Sequence, residues 1–154
     1  MLHRRILKTE KDCENAMNVM IAMTSIQIIG EERASTALTT EGVFSHKGDT
    51  YHISYMDSEA TGFDGSVTAL QVTGNKLASI SRTGTVNSNL VIETGKKHYC
   101  HYAMPFGEMM IGVYTHTIKN ELTPQGGRLF MRYTIDMNGS YLSDNEIQLS
   151  VTEA

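Results

Sequence analysis

The stretch "HYCHYAMPFG", His98 to Gly107, sets two histidines and a cysteine within four positions. Imidazole nitrogens and thiolates are common zinc ligands, and a Cys–His pair can also make a nucleophile. On an extended strand, side chains alternate between the two faces. His98, Cys100, Tyr102 and Met104 therefore project one way, and Tyr99, His101 and Ala103 the other. His98 and His101 cannot close on one metal from this strand. His98 and Cys100 share a face about 6.6 Å apart, at ~3.3 Å per residue. A zinc site there needs a further ligand, such as His52 or His116, brought opposite by the fold. No local motif gives Cys100 a base or a lowered pKa. It reads as a small buried hydrophobe, and no metal or catalytic residue is assigned.

Arg82, in "SISRTG", is the more informative residue. Period-two parity sets it on the face of Ala78 and Ile80, which turns it inward. A buried guanidinium must be paired. It either meets an internal acid, with Glu41 and Glu59 as the expected partners, or clamps a ligand carboxylate or phosphate. With it, Tyr55, Tyr102, Phe106 and Tyr133 are the candidate ligand-binding residues, because aromatic rings with polar tips suit a pocket wall. Ten methionines, Met109 and Met110 among them, offer an adaptable apolar lining or ordinary gap-filling. Asp57, Glu59 and Asp64 lie near one turn and read as solvent-facing acids, so no carboxylate pair is assigned to acid–base chemistry. Phosphate-cradling and metalloprotease motifs are absent.

These residues need strands to position them. Leu129, Met131, Tyr133, Ile135 and Met137 alternate with Arg132, Thr134 and Asp136. Ile147, Leu149 and Val151 alternate with Glu146, Gln148, Ser150 and Thr152. Such alternation marks half-buried strands. Near the start, Val19, Ile21 and Met23 are odd while Ile26 and Ile28 are even, which predicts a β-bulge. Turn signals punctuate the chain: "KGD", "FDG", "GN", "TGK", "MPFG", "QGG" and "NG". Asn138–Gly139 suits a two-residue type I′ hairpin. Long strands joined by short hairpins predict an all-β fold: a single antiparallel up-and-down barrel of about eight to ten strands.

The chain has 154 residues, 40% of them apolar, with 13 basic and 17 acidic side chains. That fits one domain large enough to fold without disulfides or metal. Residues 1–16 are charged, lack the period-two pattern and read as a flexible arm; 17–154 read as the barrel. The net charge of -4 argues against a nucleic-acid partner. No apolar run reaches the ~20 residues of a membrane-spanning helix, so no membrane partner is expected. Cys13 and Cys100 read as free thiols, and the expected location is cytoplasmic.

From about Glu41 onward, "SRTGTV" (Ser81–Val86), "YAMPFG" (Tyr102–Gly107), "GVYT" (Gly112–Thr115) and "GGRLFMRYTI" (Gly126–Ile135) follow in order, after "YHISYMDSEATG" (Tyr51–Gly62). Their order and spacing resemble the YwiB-like family of small bacterial proteins of unknown function. Two features depart from that family's pattern: the charged arm, and Met104 where Thr commonly precedes "PFG". The resemblance implies a calycin-like barrel and no established activity. By analogy alone it suggests a ligand cavity. The expectation is a binding protein for a small apolar or amphipathic molecule, without cofactor and not an enzyme. The alternative is a structural or interaction module, a homo-oligomer whose barrel is filled by its own side chains.

Overall fold

The structure is a computed structural model that describes residues 16–58, 64–85, 87–104 and 107–154. Its ten strands are β1 (Met17–Ile29), β2 (Glu32–Lys47), β3 (Thr50–Met56), β4 (Ser66–Thr73), β5 (Leu77–Gly84), β6 (Ser88–Glu93), β7 (Lys97–Met104), β8 (Gly107–Thr123), β9 (Gly126–Met137) and β10 (Ser140–Glu153). They form one sheet in the order β6-β5-β4-β3-β2-β1-β10-β9-β8-β7, every ladder antiparallel. Sequence neighbours pair everywhere except β6 with β7, and β1 with β10 joins the two halves. The result is the up-and-down, nearly closed barrel that the alternation predicted.

The seam lies between β6 and β7, where no ladder forms among the described residues. At one end a parallel bridge links Thr94, just past β6, to Thr115 of β8. There Gly95 N donates to Thr115 O at 2.9 Å. Farther along, Val91 N donates to Cys100 Sγ at 3.3 Å. A thiol thus stands where a ladder would offer a carbonyl. Across the same seam His98 Nε2 meets Glu93 Oε1 at 2.8 Å.

Alternation along each strand makes the core. In β4, Ser66, Thr68, Leu70 and Val72 are buried; in β9, Leu129, Met131, Tyr133 and Ile135. Val19, Phe44, Ile53, Val72, Ile92 and Val113 fill the barrel at one end. Phe44 stacks on Tyr51 with ring centroids 5.7 Å apart. The Asn138–Gly139 turn has φ of 54° and 81°, the two positive values a type I′ hairpin requires.

The bulge expected in the first strand is not there. β1 keeps unbroken register with both neighbours. Its odd residues continue inward through Ser25, which pairs with Ile147, while Ile26 and Ile28 stand on the outer face. Apolar parity misled because β1 runs past the core, where its inner positions no longer need to be apolar. The register shifts fall instead at Thr115/Thr117 in β8 and Tyr141/Ser143 in β10. The first flips β8 so that Ile111, Val113 and Thr115 on one side of it, and Ile118 and Leu122 on the other, are all buried. Residues 1–15 of the expected arm lie outside the described residues.

Candidate functional site

The end of the barrel opposite the Phe44 core is not filled. It encloses a cavity of about 250 Å³, built from inward positions of β1–β6, β9 and β10. Met23, Leu38, Leu70, Ile80, Leu90 and Ile147 give it apolar walls, and Ser25 and Thr36, a cross-strand pair, stand at its mouth.

One wall is polar, and the register explains it. Tyr55 of β3 pairs with Thr68 of β4, and Thr68 with Arg82 of β5. The three side chains therefore form a row across adjacent strands, all lining the cavity. Gly42 of β2 continues that row opposite Tyr55, next to Val43↔Ser54. A methyl on Gly42 would lie 2.5 Å from Ile21 Cδ1 and 2.5 Å from the Ser54 carbonyl oxygen. Glycine is what lets the strands close up beside Tyr55.

Asp57, just beyond the end of β3, anchors the row from behind. Thr68 Oγ1 donates to Asp57 Oδ2 at 2.7 Å. Arg82 Nε donates to Thr68 Oγ1 at 3.0 Å and to Asp57 Oδ2 at 3.3 Å. The Arg82 side chain is 19% exposed and that of Asp57 fully buried. Asp57 Oδ1 is buried with no hydrogen-bond partner among the described residues. Burial pushes the Tyr55 hydroxyl above its ordinary range; Asp57 adds to the rise, while Arg82 and hydrogen bonds with Thr68 and Arg82 oppose it. Tyr55 is a neutral phenol, and the row carries one positive and one negative charge.

Arg82 is inward, as its parity requires, but its partner is neither of the acids expected. Glu41 is exposed on the outer face, opposite Met20, and Glu59 lies outside the described residues. Asp57 was expected in solvent as a turn acid and is 5% exposed. The parity of Ile53 and Tyr55 extends to it, and that was the available signal. Thr68 was missed because a threonine between Ser66 and Leu70 reads as ordinary strand filling.

Of the candidate ligand residues, Arg82, Tyr55 and Tyr133 meet in the cavity. Phe106 and the side chain of Tyr102 lie outside the described residues. Met110 is 50% exposed on the outer face and does not line the cavity; Met23 and Met131 do.

β7 has its expected faces: Cys100 is buried, while Tyr99 and His101 are exposed. Burial raises the Cys100 thiol pKa, with the Val91 N–H pulling the other way. The hydrogen bond with His98 holds Glu93 below the usual carboxylate range, Lys96 adding to it. His116 is on the outer wall against Thr134, and His52 shares the outward parity of β3, so neither joins Cys100. Among the described residues no cluster of His, Cys, Asp or Glu could hold a metal.

A wider groove of about 730 Å³ runs along the outer wall of β1, β2 and β8–β10. Exposed charges such as Lys119, Glu121 and Arg128 rim it, and it encloses nothing. Among the described residues no helix is long and apolar enough to cross a membrane.

Residues 21–149 match the family model described as "Domain of unknown function (DUF1934)", and the chain belongs to that family. Among solved structures it is similar to the crystal structure of ywiB protein from Bacillus subtilis. Identity is 20%, the TM-score is 0.75, and the match covers 92% of this chain and 96% of that one. At that identity the likeness shows the fold, which is the YwiB-like barrel the motifs implied. No curated protein matches the chain.

Proposed function

We propose that this member of the DUF1934 family binds a small, mainly apolar molecule in the open end of its barrel, a binding rather than a catalytic role. The carrying observation is the cavity of about 250 Å³ with apolar walls and a single polar row. Water fills apolar space poorly, so an apolar occupant is the better one.

Native mass spectrometry of the protein purified from its own host under non-denaturing conditions tests this. A non-covalent adduct is expected, and it should be lost in Leu70→Trp, which fills the cavity. Absence of any adduct, together with no thermal stabilisation by a panel of small apolar compounds, would refute the reading.

Self-association is a second reading, favoured by the outer face of β7 and β8. Tyr99, Met110 and Tyr114 are 70%, 50% and 39% exposed there. Light scattering across a concentration series separates a monomer from a homo-oligomer.

A further inference from the structure

Resting on the cavity reading above, we propose that the ligand is an uncharged amphiphile of roughly ten non-hydrogen atoms, its one polar group set against the Tyr55–Thr68–Arg82 row, and that Asp57 is the residue that excludes anions. The size follows from scaling against the ~150 Å³ cavity that holds benzene. The charge follows from the ion pair. An arginine on an apolar wall invites a carboxylate, but here Asp57 Oδ2 already lies 3.3 Å from Arg82 Nε. A ligand carboxylate contacting the guanidinium would have the Asp57 carboxylate at about twice that distance. Coulomb energy falls as 1/r, so roughly half the attraction is cancelled. What remains must offset the desolvation of a whole charge among Leu38, Leu70, Ile80 and Leu90, which it cannot do in a poorly screened interior.

An amide, ketone or alcohol avoids that cost. Its oxygen accepts from the Tyr55 hydroxyl, since the Thr68 proton is already given to Asp57, and its hydrocarbon part replaces water on the apolar walls. The row is built for this: Thr68 donates to Asp57 and accepts from Arg82, and Tyr55 lies against both. Each group is held by its neighbours before a ligand arrives, so little ordering is left for binding to do.

The test uses 4-ethylbenzamide and 4-ethylbenzoate, which match in shape and differ in charge. Both are titrated at neutral pH into isotopically labelled protein, with amide resonances of β3–β5 reporting the site. The benzamide is expected to bind at least tenfold tighter, about 1.4 kcal/mol. Asp57→Asn keeps the side-chain shape and removes the negative charge 3.3 Å from Arg82 Nε. In that variant the ratio of the two affinities should move at least tenfold toward the benzoate; the ratio is the readout, because Asp57 anchors the row that both probes touch. Equal or tighter benzoate binding by the unaltered protein overturns the head-group inference and leaves the cavity reading standing. An unchanged ratio in Asp57→Asn also overturns it, because Asp57 would not be the filter. Failure of both probes to bind overturns the inference and the cavity reading together.

Discussion

Replacing Arg82 with Met keeps length and apolar stem and removes the charge that Asp57 faces. The Asp57 side chain is fully buried and Oδ1 already lacks a partner among the described residues. After the substitution its carboxylate keeps, among the described residues, only the Thr68 hydroxyl at 2.7 Å. Breaking a buried pair by removing one member costs about 3–5 kcal/mol. A ceiling follows from chemistry: the stranded carboxyl can escape by taking a proton. For a carboxyl that titrates near ~3.9 when unfolded, that escape costs about 4 kcal/mol at pH 7. The expected loss at pH 7 is therefore about 3–4 kcal/mol. The sign of its pH dependence is fixed. In the variant the folded state favours the protonated carboxyl, so the penalty is absent below the unfolded pKa and grows as pH rises above it. At pH 4 most of the loss should be gone. Urea unfolding of variant and unaltered protein at both pH values measures this, and Asp57→Asn combined with Arg82→Met should recover most of the stability. A loss below about 1 kcal/mol at pH 7, within the range of surface substitutions, would mean that the pair is not desolvated. An equal loss at pH 7 and pH 4 would mean that packing, not charge, is what Arg82 supplies.

Gly139→Val forces a β-branched residue to φ of 81° with nothing within 4 Å to clash. The cost is backbone alone, about 1–2 kcal/mol, or roughly 2–8 °C in Tm; an unchanged Tm refutes the turn type. Gly42→Ala brings a methyl to 2.5 Å from the Ser54 carbonyl, which cannot rotate away as Ile21 Cδ1 can. We expect a loss of about 1–3 kcal/mol from overpacking and weaker 4-ethylbenzamide binding through Tyr55; full stability would show that β2 and β3 separate freely. Cys100 is 4% exposed and its thiol pKa is raised by burial, so iodoacetamide should label it far more slowly in the folded protein than in urea. Comparable rates would show the β6–β7 seam to be open.

Strand existence, barrel class and the inward turn of Arg82 were all legible, because each depends only on side chains alternating along a strand. What lay hidden depends on register between strands. No local pattern in "YMDSEATG" says that Asp57 ends beneath Arg82, 25 residues on; the pairing of β3 with β4 and β4 with β5 does that. The misplaced bulge has a related cause. Ile26 and Ile28 look like core residues to a rule that counts apolar positions, but they sit on a stretch of β1 that has already left the core. The cavity was illegible for a simpler reason. Ser25, Thr36 and Thr68 are inward positions occupied by short side chains, and a sequence does not distinguish a small residue that leaves space from one that faces a large neighbour.

That choice of residues bears on why the ion pair is present at all. A buried pair is weak evidence for stability, since apolar residues of similar volume often do as well or better. Leu or Met at positions 57 and 82 would have been the simpler way to complete a core that Leu70, Ile80 and Leu90 already dominate. What such a core could not do is hold the Tyr55 and Thr68 side chains in a fixed order along one wall. Thr68 can donate in only one direction, and Asp57 takes that proton, so its lone pairs are left for Arg82. The pair thereby fixes the orientation of every polar group on an otherwise featureless apolar surface. Orientation of polar groups is of no use to a packed core and of direct use to a pocket that must choose among molecules of similar size.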